Sequence, residues 1–313
     1  MRSRVDELGQ SGFVHPTGTE TTAHEPLDVG TSLRSPEIGA PHTAHNREFA
    51  TIEIIPIQPT ASQFLWSADL CTGARVGVRF VARAVAANVG GMLLDVATSV
   101  GPGRLTVSEA AQPEAVLWLG HGAGGGIDAA DLAALAGRLP ELGVTVIRYE
   151  QPWRVAGKRV AARPQTLDVA WLETTSRVRD LAGDLPLVVG GRSAGARVAC
   201  RTAASIGAAA VVCLAFPLSP PGRPDTSRLD ELLETTVPVL VLQGGRDTFG
   251  TAADLRDRLR AELPGDDRIR VVEVSGADHG MRVLKDSPLG AAGVRELLTS
   301  EVAGFVRSVS TRP

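Results

Sequence analysis

From residue 115 onward the chain alternates short, mainly apolar runs with longer stretches of helical character, and this alternation restricts the fold more than any other feature. The apolar runs are AVLWLGH (115–121), VTVIRYE (144–150), LPLVVGG (185–191), AAAVVCLAFPL (208–218), VPVLVLQGG (237–245) and RIRVVEVSG (268–276). Their length and β-branched content predict strands. Between them, IDAADLAALAGRLPELG (127–143), PQTLDVAWLETTSRVRDLAG (164–183), SAGARVACRTAASIG (193–207) and TAADLRDRLRAEL (251–263) predict helices, and a last helix is expected over 290–308. Pro164 suits a helix start, while Gly143 and Gly183 are placed to end theirs. Strands alternating with helices of ten or more residues predict an α/β fold with a mostly parallel sheet. Runs this apolar fit burial on both sides, so helices should cover both faces. Functional residues should then gather in loops at the carboxyl ends of the strands.

The first part of the chain reads differently. Residues 1–50 are rich in Thr, Ser, Pro, Gly, Glu and His, with neither strand nor helix periodicity. Such a stretch buries too little apolar surface to offset the entropy of ordering, so disorder is expected there. TIEIIPIQPT (51–60) reads as one short strand, and 76–97 as a helix with Arg79 and Arg83 on one face. The expected organisation is an extension over 1–94 and one folded domain over 95–313. Met92 is an alternative start just before that domain.

Composition narrows the function. A net charge of −3 lacks the clustered positive field that phosphate binding needs, so nucleic acid is excluded as the main partner. The amino terminus has no apolar core of a secretory signal, and no run of 18 apolar residues suggests a membrane span. Cytoplasm is the expected location. Cys71, Cys200 and Cys213 are odd in number and lack CxxC spacing, which argues against a disulfide framework or a zinc site. They read as ordinary buried thiols. Aromatic residues make up 4% of the chain, so a substrate pocket would be built mainly from aliphatic side chains and backbone.

The strongest local motif is Gly191-Arg192-Ser193-Ala194-Gly195, a G-x-S-x-G pattern where LPLVVGG meets a helix. A sharp strand-to-helix turn lifts such a serine above the sheet, and flanking glycines avoid clashes there. The helix amino terminus also favours developing negative charge. A plain glycine-rich turn is the competing reading. A nucleophilic serine needs a base. Of the six histidines, His15, His24, His42 and His45 lie in the extension, leaving His121 and His279. His279 follows the last strand, in VSGADHG. The imidazole in turn needs an acid, and Asp247 ends the strand VPVLVLQGGRD. Asp225 and Asp278 compete for that role; Asp278 should point away from the ring of its neighbour. The order Ser193, Asp247, His279 is the one the α/β-hydrolase architecture requires.

An oxyanion hole completes the requirement. HGAGGG (121–126) follows an apolar strand upstream of the serine and resembles a loop that donates a backbone N–H. The expected donors are Ala194 and Ala123, with Gly122 as the alternative to Ala123. His121 is expected to position the loop, with a more direct role as the alternative. A phosphate-binding loop is the competing reading, but the G-K-[ST] ending is missing.

LGHGAGGG, QPWRVAGKRV, GGRSAGAR, LQGGRD and GADHG together resemble the small α/β-hydrolase-like family related to dienelactone hydrolases, over roughly residues 95–310. That family includes a testis-expressed protein, a subunit of the NSL histone-acetyltransferase complex and many bacterial members. The resemblance implies an α/β-hydrolase fold with little or no lid and Ser193, Asp247 and His279 as the triad. Only about 18 residues separate Leu218 from Val237, where many relatives insert a lid. An open site suits small or varied substrates, and a small carboxylic ester is the expected one, cleaved through an acyl-enzyme without metal or cofactor. Gly122, His121, Trp153 and Arg154 are expected to contact it. Arg154, Lys158, Arg159 and Arg163 form either a solvated basic loop or a recognition element for an anionic substrate. Peptidase or thioesterase chemistry on the same triad, and a scaffold that keeps these residues without turnover, are the competing functions.

Overall fold

The structure, a computed structural model, describes residues 91–223 and 225–310. The expectations for 1–50, for the strand over 51–60, for Cys71 and for most of the helix over 76–97 lie outside the described residues. In chain order the elements are β1 (Met92–Val96), β2 (Gly103–Ser108), β3 (Ala115–Gly120), α1 (Ala130–Arg138), a 3-10 turn (Leu139–Leu142), β4 (Val144–Glu150), α2 (Pro152–Val155), α3 (Pro164–Ala182), β5 (Leu187–Arg192), α4 (Ala194–Ile206), β6 (Ala210–Leu214), α5 (Asp230–Leu233), β7 (Val239–Gly244), α6 (Ala252–Glu262), β8 (Ile269–Val274) and α7 (Gly290–Ser310).

The end of the predicted 76–97 helix is a strand instead. Met92–Val96 runs antiparallel to β2, in register from Met92 opposite Val107 to Val96 opposite Gly103. The segment MLLDV suits helix or strand locally, and pairing with β2 decides between them. β1 straddles the boundary expected at residues 94 and 95.

The eight strands form one sheet in the order β1-β2-β4-β3-β5-β6-β7-β8. β2 is antiparallel to both β1 and β4, and every pairing from β4 through β8 is parallel. All six residues of β3 are buried, because the strand is central and covered on both sides. Side chains alternate between the faces. Val116 and Trp118 join the core formed with α3, α4 and α6, while Leu117 and Leu119 join the core formed with α1 and α7. In the first core the rings of Trp118 and Trp171 stack 3.7 Å apart and nearly parallel. Both are fully buried, and aromatic burial on this scale dominates the packing of that face.

The crossovers place the site. The helix after β3 covers one face, while the helix after its neighbour β5 covers the other. The chain therefore diverges at the carboxyl ends of these adjacent strands, and a crevice opens between their loops. Those loops are HGAGGG and the turn at Ser193. Between β6 and β7 the chain carries α5, held to α4 by ion pairs of Arg197 and Arg201 with Glu231. No lid domain is inserted there among the described residues. The fold is an α/β-hydrolase fold.

Candidate active site

Ser193 sits between β5 and α4 with φ 52° and ψ −109°. A positive φ in a non-glycine residue is strained by roughly 1–3 kcal/mol and persists only where its surroundings enforce it. Two bonds do so. The Ser193 N–H donates to the Leu214 carbonyl at 2.9 Å, and its own carbonyl accepts from the Arg197 N–H at 3.2 Å. A serine before a helix ordinarily caps it with its side chain. Ser193 makes no such bond; its Oγ lies 2.9 Å from His279 Nε2.

His279 Nδ1 is 2.8 Å from Asp247 Oδ2 and 3.0 Å from Oδ1. Sequence-predicted Ser193, Asp247 and His279 thus meet in one hydrogen-bonded chain, each from a loop after a different strand. The loops themselves are tied together. The Arg246 N–H donates to the Ala277 carbonyl at 2.9 Å, fixing the Asp247 loop to the His279 loop. The competing acids are placed elsewhere. Asp225 is exposed, and Asp278 Oδ1 accepts from the Gly280 and Arg282 N–H groups at 2.8 and 2.9 Å.

Three residues passed over in the sequence complete the surroundings. Gln243, fully buried in β7, donates from Nε2 to Asp247 Oδ2 at 3.0 Å, while the Phe249 N–H donates to Oδ1 at 2.8 Å. Asp247 therefore accepts bonds from three directions, which fixes its orientation. The Phe249 ring packs on the His279 ring, centroids 4.1 Å apart. Arg192 is the third. Its Nε donates to Asp131 Oδ2 at 2.9 Å, and its Nη2 donates to the His279 carbonyl at 2.7 Å. Asp131 is buried, which pushes its carboxyl upward, and the guanidinium opposes that shift. The pair joins α1, the serine turn and the histidine loop.

The glycine loop is oriented by His121, which is buried. The Gln151 N–H donates to His121 Nε2 at 3.1 Å, so this nitrogen must be the acceptor. Nδ1 then carries the proton and donates to the Gly122 carbonyl at 2.9 Å. Burial lowers the imidazole pKa and keeps the ring neutral. In a planar trans peptide the carbonyl and the next N–H point in opposite directions. Holding the Gly122 carbonyl toward the ring therefore turns the Ala123 N–H away from it. His121 is thus a positioning residue for this loop. Gly122 approaches the serine closely, since a Cβ there would lie 3.5 Å from that of Ser193. Among the described residues neither the Ala123 nor the Ala194 N–H donates to another protein group.

The remaining sequence candidates lie beside this loop. Trp153 is buried in α2 and its ring lies 5.5 Å from that of His121. Arg154 is exposed near the loop tip, its Nε 3.5 Å from where a Cβ on Gly126 would stand. Arg154, Lys158, Arg159 and Arg163 are all exposed and form no ion pair among the described residues. Cys200 and Cys213 are buried free thiols. Among the described residues no helix is long and apolar enough to cross a membrane.

Comparison with known proteins accords with the architecture. The structure of an alpha-beta serine hydrolase homologue from Coxiella burnetii superposes with a TM-score of 0.53 at 16% identity, covering 68% of this chain and 98% of that one. XC6422 from Xanthomonas campestris, described as a serine hydrolase without a lid, superposes with a TM-score of 0.53 at 21% identity, over 69% of this chain and 95% of that one. Est1E from Butyrivibrio proteoclasticus gives 0.54 at 15% identity, over 70% and 99%. At these identities the likeness is one of fold. The sequence model for the alpha/beta hydrolase domain matches residues 113–307, and the chain belongs to that family.

Proposed function

We propose that the protein is a serine hydrolase that cleaves carboxylic esters through an acyl-enzyme. The observation that carries this reading is the unbroken hydrogen-bonded chain from Ser193 Oγ through His279 to Asp247, with the serine held at positive φ on a strand-to-helix turn. A strained serine that forgoes capping its helix to face an imidazole is arranged for nucleophilic attack.

In the first step Ser193 Oγ attacks the ester carbonyl carbon while His279 Nε2 takes the hydroxyl proton. Asp247 holds the ring with Nδ1–H toward the carboxylate and stabilises the imidazolium that forms. The oxyanion of the tetrahedral intermediate is received by the N–H groups of Ala194 and Ala123. The His121–Gly122 bond supports Ala123 as a donor by fixing its peptide plane. His279 then returns the proton to the departing alkoxide. Water, deprotonated by the same imidazole, cleaves the acyl-serine and releases the carboxylic acid. Within the family, the resemblance to relatives of dienelactone hydrolases fits this reading, and we read residues 95–313, with β1 completing the edge of the sheet, as the catalytic domain.

Labelling with a fluorophosphonate probe tests the reading. The wild-type protein should label at Ser193, and Ser193→Ala should abolish both labelling and ester hydrolysis, lowering kcat by about 10⁴-fold or more. A folded protein that does not label would instead support a scaffold that keeps these residues without turnover.

A further inference from the structure

Resting on the ester-hydrolase reading, we infer that the site takes esters of very short acyl groups, of acetyl size. The argument begins with which side of Ser193 each half of an ester must occupy. The imidazole that receives the serine proton must deliver it to the leaving oxygen. The leaving group therefore lies on the side of His279, and the acyl group lies on the other side, beyond the oxyanion donors. On the His279 side Phe249, packed on the imidazole, also lines a recess of about 410 Å³.

The acyl side is different. A cavity there is bounded by the donor residues Ala123 and Ala194 and lined further by Trp153, Leu167, Trp171 and Val198. None of the hydrogen-bonded Ser193–His279–Asp247 chain lines it. Its volume is about 10 Å³. That is the room of roughly one water molecule, enough for a methyl group after slight adjustment. Its walls resist expansion. Trp171 is fully buried and stacked on Trp118, and Val198 is buried in α4. Close-packed interiors do not admit several extra methylenes without strain. In an acetyl ester the carbonyl oxygen meets the two N–H groups while the methyl fills the cavity. The bond formed is acetyl carbon to Ser193 Oγ, and the bond broken is carbonyl carbon to alkoxide oxygen. Water then releases acetic acid.

The test is a series of p-nitrophenyl esters from acetate to octanoate, run on the full chain alongside fluorophosphonate labelling. We expect kcat/KM for acetate to exceed that for hexanoate by at least ~10-fold. Leu167→Ala, which removes part of one wall, should narrow that ratio several-fold, and Val198→Ala serves the same purpose should the first variant not fold. Labelling at Ser193 combined with equal or faster turnover of hexanoate would overturn the acyl-size inference while leaving the hydrolase intact. An unchanged ratio in a folded, widened variant would overturn it as well. Absence of labelling removes the hydrolase reading and this inference with it.

Discussion

The two glycine-rich segments at the site, GGRSAG and HGAGGG, look alike in sequence but are held by different physics. At the serine turn the glycines are steric necessities. A Cβ on Gly191 would stand 2.5 Å from the Gly120 carbonyl oxygen, and one on Gly195 would stand 2.4 Å from the same atom. These are backbone contacts, with no flexible side chain to yield. They let the ends of β3 and β5 and the start of α4 touch, which sets the height of Ser193 over the sheet. In the HGAGGG loop, Gly124 and Gly125 have nothing within 4 Å of where a Cβ would stand. That loop is held by hydrogen bonds instead: the Gly122 carbonyl accepts from His121 Nδ1 at 2.9 Å and from the Gly125 N–H at 3.4 Å. One segment is fixed by exclusion and the other by polar bonds. The lesson is that a glycine count does not distinguish close packing from an open loop.

The sharpest break of this comparison is Gly195→Ala. The added methyl meets the Gly120 backbone, so α4 must move or the strand end must give. We expect a loss of about 3 kcal/mol or more, at the upper end for overpacking, together with near-complete loss of fluorophosphonate labelling. Urea unfolding and labelling measured on the same sample check both parts. A variant as stable and reactive as wild type would remove the steric account of the turn.

Arg192→Met tests how the turn is coupled to the histidine loop. It orphans the Asp131 carboxylate, whose side chain is 1% exposed, and removes the donor to the His279 carbonyl. Leaving a buried charge unpaired costs about 3–5 kcal/mol. The double variant Arg192→Met/Asp131→Leu removes the orphaned charge and should regain most of that stability. It still lacks the tether to His279, so on the proposed role of His279 as base kcat should stay down by about 10-fold or more with KM little changed. Recovery of kcat along with stability would mean that Arg192 serves packing alone.

The polar tether of the other loop is sensitive to pH. Protonating His121 would remove the acceptor at Nε2 for the Gln151 N–H. Its pKa in the folded chain lies below the ordinary 6.5, so between the two values the unfolded chain binds more protons. Its contribution is fully present above 6.5 and is lost as pH falls toward the lowered value. The upward shift of buried Asp131 acts in the opposite sense, but Asp131 is present in both proteins of a comparison. His121→Gln should therefore show a smaller fall in Tm between pH 7.5 and about 5 than wild type. Parallel curves would count against a neutral, structural His121.

How much of this was legible follows from what each residue answers to. The central parallel strands β3, β6 and β7 announce themselves because burial on both faces makes each a nearly unbroken apolar run. Ser193, Asp247 and His279 could be chosen because chemistry restricts the residue types and topology restricts the order. The hairpin of β1 and β2 could not, since GRLTVS and MLLDV carry no comparable run and their pairing partners decide them. Gln243 left a signal that went unread, a lone amide within the apolar run VPVLVLQGG; a polar side chain in a buried strand must have a partner. Arg192 left none. It occupies a variable position of the motif, and only the fold brings Asp131 and the His279 carbonyl to it.

The smallest effect sharpens the comparison most. Gly124→Ala and Gly125→Ala add a methyl where nothing lies within 4 Å, and neither glycine has a positive φ. At a position whose backbone alanine can adopt, such a change removes freedom from the unfolded chain and stabilises by about 0.4–1 kcal/mol. Tm should therefore hold or rise slightly, while fluorophosphonate labelling continues at close to the wild-type rate. The same substitution at Gly195 should be among the most damaging in the protein. If Gly124→Ala instead abolished labelling with the fold intact, the loop would have to close onto the substrate with its glycine backbone. The HGAGGG loop would then depend on close approach as the serine turn does, and the polar bonds at the Gly122 carbonyl would not be sufficient to define it.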